Sequence, residues 1–232
     1  MNILIVSATE PEVALTLQKL QHNKKVSEYL TFARTANEHN IYFLYTGVGM
    51  IATTYHLANT LQNNHFDCII NAGIAGGIGN VQIGDVVHVI DDLFFELGAE
   101  DNDSFIPIQS MDLLQEKDFP LNAKNITFNH NFGDNEIIKR LIVAHGITVN
   151  KVHGNVNSIK AMHKRLIQNN TLCYTESMEG AAVAYVAAKQ NIAAIQLRSI
   201  SNMVEPRNRN HWNIQLAVLN LNEVLFAFLS SL

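Results

Sequence analysis

Charge is scarce in this chain. Only 16% of its 232 residues are Asp, Glu, Lys or Arg, against 47% hydrophobic, and the formal net charge is −5. A phosphate backbone calls for a basic patch, and this balance argues against such a partner. Nothing resembles the polybasic segment that an anionic membrane surface would attract. Neither a nucleic-acid nor a membrane partner is expected. So little charge also leaves little polar covering, which fits a buried subunit interface.

Cysteine is nearly missing. Cys68 lies in the apolar run "FDCIINAG" and Cys173 stands far from it. Two such thiols point to small core hydrophobes in a reducing compartment and not to a disulfide framework. The start "MNILIVSATE" is apolar too briefly for a secretory leader and has no basic n-region. No apolar run reaches the length of a membrane span, so a cytoplasmic location is expected. With four prolines and no break in composition, the chain reads as one domain over 1–232.

Several chemistries lack their motifs. Ten histidines show neither HExxH nor Cys/His spacing for zinc. There is no Gly-x-Ser-x-Gly elbow. "NAGIAGGIG" at 71–79 carries four glycines, but no Lys-Ser or Lys-Thr follows, so it is not a P-loop. "TGVGMIA" at 46–52 fits a loose G-x-G-x-x-A, yet it is not the first strand–helix turn. The next strand ends in Asn71, where a ribose-binding acid would stand. No metal and no cofactor is expected.

What is present is alternation. Short apolar runs at 2–8, 41–46, 68–73, 85–92, 147–152 and 193–200 read as strands buried on both faces, and 26–34 also reads as β. Helical periodicity marks 13–21, 51–62, 134–145, 156–168, 177–190 and 213–232. This order predicts an α/β fold, a single twisted mixed, mostly parallel sheet flanked by helices. The polar, poorly periodic segment 100–132 reads as a surface excursion or lid. Ligands in such sheets bind beyond the carboxyl ends of the strands.

Four features fall there. Glu12 follows Thr9 and Pro11, which is either a capping box or a placed carboxylate. Glu179 opens a helix, where the dipole alone would favour it. Gly73 and Ile74 belong to a glycine-rich strand end that forms a tight turn or a backbone wall against a planar ligand. Arg198 sits inside an apolar strand, and a buried charge demands a partner. That strand is expected to stop at Ser201-Asn202, ahead of a loop rich in Arg and Asn.

"IVSATEPEV", "TGVGMIATTYHLANTL", "INAGIAGGIG", "IGDVV", "SMEGAAVAYVA" and "LRSISN" together resemble the nucleoside phosphorylase and nucleosidase superfamily, in order and over nearly the whole chain. They are most similar to the branch containing the methylthioadenosine/S-adenosylhomocysteine nucleosidases. Within it, "RSISNMVEPRNRNHW" looks most like the futalosine hydrolases of the alternative menaquinone pathway. The resemblance implies a nucleoside phosphorylase-like fold, a homodimer that completes its pocket across the interface, and a nucleoside substrate. It implies that Glu12 activates water, that Met178 and Glu179 hold the ribose, and that Arg198 lies beside Glu12. Asn202 then stands where adenine-cleaving members carry Asp. An amide cannot act as an acid, but its donors suit the O6 and N7 acceptors of a 6-oxopurine, which implies hypoxanthine or guanine as the leaving base. Trp212 would wall the 5′ side, with Arg207 or Arg209 pairing with a substrate carboxylate. Ile74 departs from the small polar residue usual near the water. The loop "SATEPEV" holds two carboxylates and no basic residue, which disfavours phosphate and favours hydrolysis. A related nucleosidase or phosphorylase, or a non-catalytic nucleoside binder on the same fold, stays open.

Overall fold

The structure, a computed structural model, describes residues 1–102, 104–166 and 172–232. The expected helix end at 167–168 lies outside the described residues. Among the described residues, twelve strands and six α-helices follow in chain order: β1 Asn2–Ser7, α1 Ala14–Lys19, β2 Gln21–Lys25, β3 Leu30–Arg34, β4 Asn40–Tyr45, α2 Met50–Asn63, β5 Cys68–Ile78, β6 Val86–Phe94, β7 Gly98–Asp101, β8 Ser104–Pro107, β9 Ile126–Thr127, α3 Glu136–Lys139, β10 Ile142–Thr148, α4 Val156–Leu166, β11 Tyr174–Ser177, α5 Gly180–Gln190, β12 Ala193–Met203 and α6 Ile214–Ser230.

The main sheet runs β11-β10-β6-β12-β5-β1-β4-β3-β2, and β9 pairs with β6. It is mixed, and its longest ladder is parallel, with ten paired residues between β12 and β5. Alternation divides the core. Ile3 and Ile5 of β1 face α1 and α6, together with Leu221, Leu225 and Phe228. Leu4 and Val6 face α2 and α5, with Leu57, Val183 and Ala187. That two-sided burial is why β1 and β5 read as unbroken apolar runs.

One end of the sheet closes on itself. β11 pairs antiparallel with β5, Tyr174 opposite Ile78 and Glu176 opposite Gly76. The strands β11, β10, β6, β12 and β5 therefore form a ring, which strand patterning does not disclose.

Four expectations need correction. Residues 134–145 are not a helix. Asn135 caps a single turn, its Oδ1 accepting from Ile137 N at 2.9 Å, and the chain then enters β10. Ile142, Val143, Ile147 and Thr148 are β-branched, and pairing with β6 and β11 overrides the helical spacing. This also moves the strand expected at 147–152 to 142–148. The helix over 13–21 ends at Lys19, because Gln21–Lys25 form β2. That strand is exposed throughout and pairs with β3, so no apolar period marks it. Its Lys24 and Lys25 guard an open sheet edge. Finally, the segment Arg209–Ser230 is long and apolar enough to cross a membrane by composition. Its buried stripe packs on the sheet, and Asn222 on that stripe bonds Thr16 and the Glu12 carbonyl, as in a core helix. The 100–132 excursion contains the β7–β8 hairpin and β9.

Candidate active site

The carboxyl end of β1 leads into a 3-10 turn, Glu10–Glu12, with Pro11 at its start. Both readings of Glu12 hold at once, one per oxygen. Oε2 accepts from Thr9 N and Thr9 Oγ1, each at 2.9 Å, and from Ser7 Oγ at 3.2 Å. Oε1 turns the other way, across to β5, and accepts from Ile74 N at 3.0 Å. The turn is further anchored by α6, where Asn222 Nδ2 donates to the Glu12 carbonyl at 2.8 Å. A carboxylate that accepts from four donors suits a charged, oriented group.

Gly73 makes room for what faces it. A Cβ there would lie 2.4 Å from Arg198 Nη1 and 2.9 Å from Glu12 Oε1. The glycine-rich strand end is thus a wall, but one pressed against two charged side chains. Arg198 is 1% exposed. Its Nη1 lies 3.7 Å from Glu179 Oε2 and donates to Ile74 O at 3.4 Å. The resemblance pairs Arg198 with Glu12; the ion-pair contact falls on Glu179, and Glu12 stands across the Gly73 gap with its own donors.

Glu179 is the N-cap residue of α5, yet its side chain makes no cap hydrogen bond. It reaches out of the helix, its Oε1 accepting from Gly49 N at 3.0 Å. Gly49 holds φ +97, a conformation that glycine adopts without strain, and this aims its N–H at the carboxylate. The "TGVGMIA" glycines therefore serve a close backbone approach to Glu179. Met178 is the half-buried residue beside it, between β11 and α5.

β12 does not stop at Ser201-Asn202. It continues to Met203 through a bulge after Ile200, which sets Asn202 opposite Gly76. A bulge re-aims the side chains beyond it. Asn202 is half-buried, accepts from Ser201 Oγ at 2.8 Å and donates Nδ2 to Met203 O at 3.0 Å. Its second amide N–H has no partner among the described residues. Its backbone lies within the strand.

Trp212, Arg207 and Arg209 form a separate cluster on the loop after β12. Both guanidinium groups stand over the indole, 4.9 and 5.9 Å from its centroid. The loop is tied to the site by Asn213 N donating to Ser201 O at 2.8 Å. Beside Gly49 a cavity of about 300 Å³ is lined by Met50, Thr54, Phe94, Leu97, Leu121 and Tyr185, with Glu96 and Asn150 as its most polar members.

Glu12, Gly73, Ile74, Arg198 and Glu179 are thus brought into contact, with Asn202 along the same strand pair and the Trp212 cluster beyond it. Three more residues stand behind them: Asn71, Gln196 and Asp92, all buried. Gln196 and Asn71 read as interior polar interruptions of apolar strands, a signal as informative as Arg198.

A curated futalosine hydrolase from Acidothermus cellulolyticus is 29% identical over 97% of this chain and 88% of its own length. A 5′-methylthioadenosine/S-adenosylhomocysteine nucleosidase from Anoxybacillus flavithermus is 24% identical over 97% and 96%. The solved structure of futalosine hydrolase from Helicobacter pylori superposes with a TM-score of 0.80 at 14% identity, covering 100% of this chain and 99% of that one; the fold is the one these enzymes share. The family model described as Phosphorylase superfamily matches residues 2–230, and the chain belongs to that superfamily.

Proposed function

We propose that this chain is a nucleosidase that hydrolyses the N-glycosidic bond of a 6-oxopurine nucleoside, futalosine, releasing hypoxanthine. One observation carries the reading. Glu12 Oε1 and the Glu179 carboxylate flank Arg198 over the side-chain-free surface of Gly73, while the turn that bears Glu12 holds no basic residue. Departure of the purine builds oxocarbenium character on the ribose. A carboxylate on the ribose hydroxyls, Glu179, stabilises that charge. Glu12 takes the proton from the attacking water as C1′ loses its bond to the base. The bond electrons leave with the purine, steadied at N7 or O6 by an Asn202 N–H; the purine then takes a proton from water and leaves as neutral hypoxanthine, while Glu12 returns its proton to solvent. Ile74 contributes its backbone N–H to Glu12, so its apolar side chain need not hold the water.

The Trp212 face, crowned by Arg207 and Arg209, suits a planar carboxylate-bearing 5′ group. Replacing both arginines by Ala then raises KM for futalosine. The 29% identity to a relative named futalosine hydrolase favours this reading, which would place the chain in menaquinone biosynthesis in the cytoplasm. A second reading, methylthioadenosine/S-adenosylhomocysteine cleavage, is favoured by the largely apolar cavity beside Met50, which would take a methylthio group. Purine release from futalosine, inosine and methylthioadenosine, with and without phosphate and with the base identified, separates these. A higher kcat/KM on methylthioadenosine sinks the first reading. Phosphate dependence sinks hydrolysis, and no release at all leaves a binding protein.

The homodimer belongs to the same proposal. Val48, Ile51 and Tyr55 are 60%, 81% and 66% exposed on and just before α2, next to the Gly49 that holds Glu179. A second copy covering that face would close the site. Ile51→Glu should shift the mass measured by light scattering from dimer to monomer.

A further inference from the structure

Behind the site lies a chain of buried polar side chains that the reaction above leaves unused. Asp92, Gln196, Asn71 and Thr148 are each at most 2% exposed. Asp92 Oδ1 accepts from Leu93 N at 2.8 Å and Thr148 Oγ1 at 2.9 Å, and Thr148 Oγ1 in turn accepts from Ala181 N at 2.7 Å. Asp92 Oδ2 lies 2.9 Å from one end of the Gln196 amide. The other end of that amide lies 2.5 Å from the Asn71 amide. Asn71 then meets Val6 O at 3.2 Å and Arg198 Nη2 at 3.1 Å. Gly146 and Gly180 leave the space that the Asp92 carboxyl fills, since a Cβ on either would come within 2.2 Å of Oδ2.

Amide nitrogen and oxygen are assigned by their partners, and two partners here allow no choice. The Val6 carbonyl only accepts, and the Arg198 guanidinium only donates. Asn71 must therefore give Nδ2 to Val6 and present Oδ1 to Arg198. That same Oδ1 faces Gln196, which must answer with Nε2. Gln196 Oε1 is then left against Asp92 Oδ2, two acceptors in hydrogen-bond contact, and only a proton between them makes the contact a bond. With Asp92 ionised the order reverses. Gln196 Oε1 then draws Asn71 Nδ2, so Asn71 Oδ1 is set against Val6 O and Nδ2 against Arg198. Two like-facing contacts would sit in a dry interior, where unmade hydrogen bonds are costly. The protonated arrangement leaves one longer like-facing contact, Gln196 Nε2 against Arg198 Nη2 at 3.5 Å, in place of two close ones.

The charges agree. Arg198 of β12 already faces Glu179 at the start of α5, with Glu12 across Gly73. Asp91, next along β6, faces His145 of β10 at 3.0 Å. A third carboxylate around one guanidinium would be unbalanced. Burial, the largest cause, pushes the Asp92 carboxyl up to about 6 against the pull of its donors, Gln196 first among them, and of the Arg198 charge; the pull from Gln196 is lost when that amide turns to accept.

We propose that Asp92 carries a proton in the native protein and acts as a positioning residue, fixing through Gln196 and Asn71 the oxygen onto which Arg198 donates. This deepens the hydrolase reading, and its spectroscopic arm holds whichever nucleoside is cleaved. Asp92→Asn replaces the O–H by an N–H on the same outline. Difference infrared spectra of the parent and this variant at pH 7 should show one buried carboxylic-acid C=O band in the parent only. The variant should keep kcat/KM within about twofold of the parent and the same Tm. Asp92→Leu, which cannot donate, should lose at least tenfold in kcat with KM little changed. An absent acid band, a tenfold loss in Asp92→Asn, or full activity in Asp92→Leu would each overturn the proposal. Should Asp92→Leu fail to fold, the band and the Asn variant still decide.

Discussion

Gly73→Ala tests the site at its tightest point. The added methyl would stand 2.4 Å from Arg198 Nη1 and 2.9 Å from Glu12 Oε1, where ordinary contact begins near 3.4 Å. Arg198 must retreat by about 1 Å and Glu12 by about half that. The backbone is not the obstacle, because no positive φ is required at this position. The stability cost is that of mild overpacking against the end of a long side chain, about 1 kcal/mol, or a fall in Tm of about 2–4 °C for a chain of this size. The kinetic cost should be far larger. Displacing catalytic groups by about 1 Å costs on the order of 10²-fold in rate. Steady-state purine release beside a thermal melt measures both quantities, and Gly133→Ala, which meets no atom within 4 Å, is the control. A Gly73→Ala enzyme that melts near the parent yet keeps its kcat/KM would refute the placement of Arg198 and Glu12 in the reacting centre.

Three further outcomes are expected. Glu12→Gln should lower kcat by about 10²–10⁴-fold with a Tm change of a few degrees, since the amide must turn an N–H toward Thr9 or Ile74; parental activity would show that another group is the base. Asn202→Asp should raise the kcat/KM ratio of adenine over 6-oxopurine nucleosides at least tenfold, and an unchanged ratio would remove Asn202 from base recognition. Acid should destabilise the fold through His88, which burial first and His130 second lower from 6.5 to about 4. The native state favours the neutral ring, so this contribution is complete above pH 6.5 and is lost as pH falls toward 4. The loss is on the order of 2 kcal/mol, and His88→Gln should flatten that limb in denaturant titrations at pH 7 and 4.5.

The fold class was legible because burial writes itself into sequence. β1, β5 and β12 are apolar on both faces and read as strands at once. β10 was not, because Ile137, Ile138, Leu141 and Ile142 mimic a helical period, and only its neighbours β6 and β11 decide the matter. β2 has no buried face at all, so hydropathy carries no trace of it. In the site, Arg198 was conspicuous as a charge among apolar residues, and its burial is as expected. Its partner was not deducible, since Glu12 and Glu179 are equally good carboxylates in sequence and only the approach of α5 to Gly49 selects Glu179. Asp92 escaped notice beside Asp91 because a polar residue near a strand end usually faces water. Here the missing side chains of Gly146 and Gly180 turn it inward.

Closing the ring through β11 and β5 also bears on how the protein is made. Glu179 follows β11 directly, Gly73 lies on β5, and Arg198 on β12 must slot between them. These contacts join segments far apart in the chain, which form slowly because loop entropy must be overcome first. During refolding from denaturant, helix signals should therefore recover ahead of turnover. Enzymatic activity becomes a clock for the last tertiary event, and a chain arrested before ring closure would possess all its catalytic side chains and no active site.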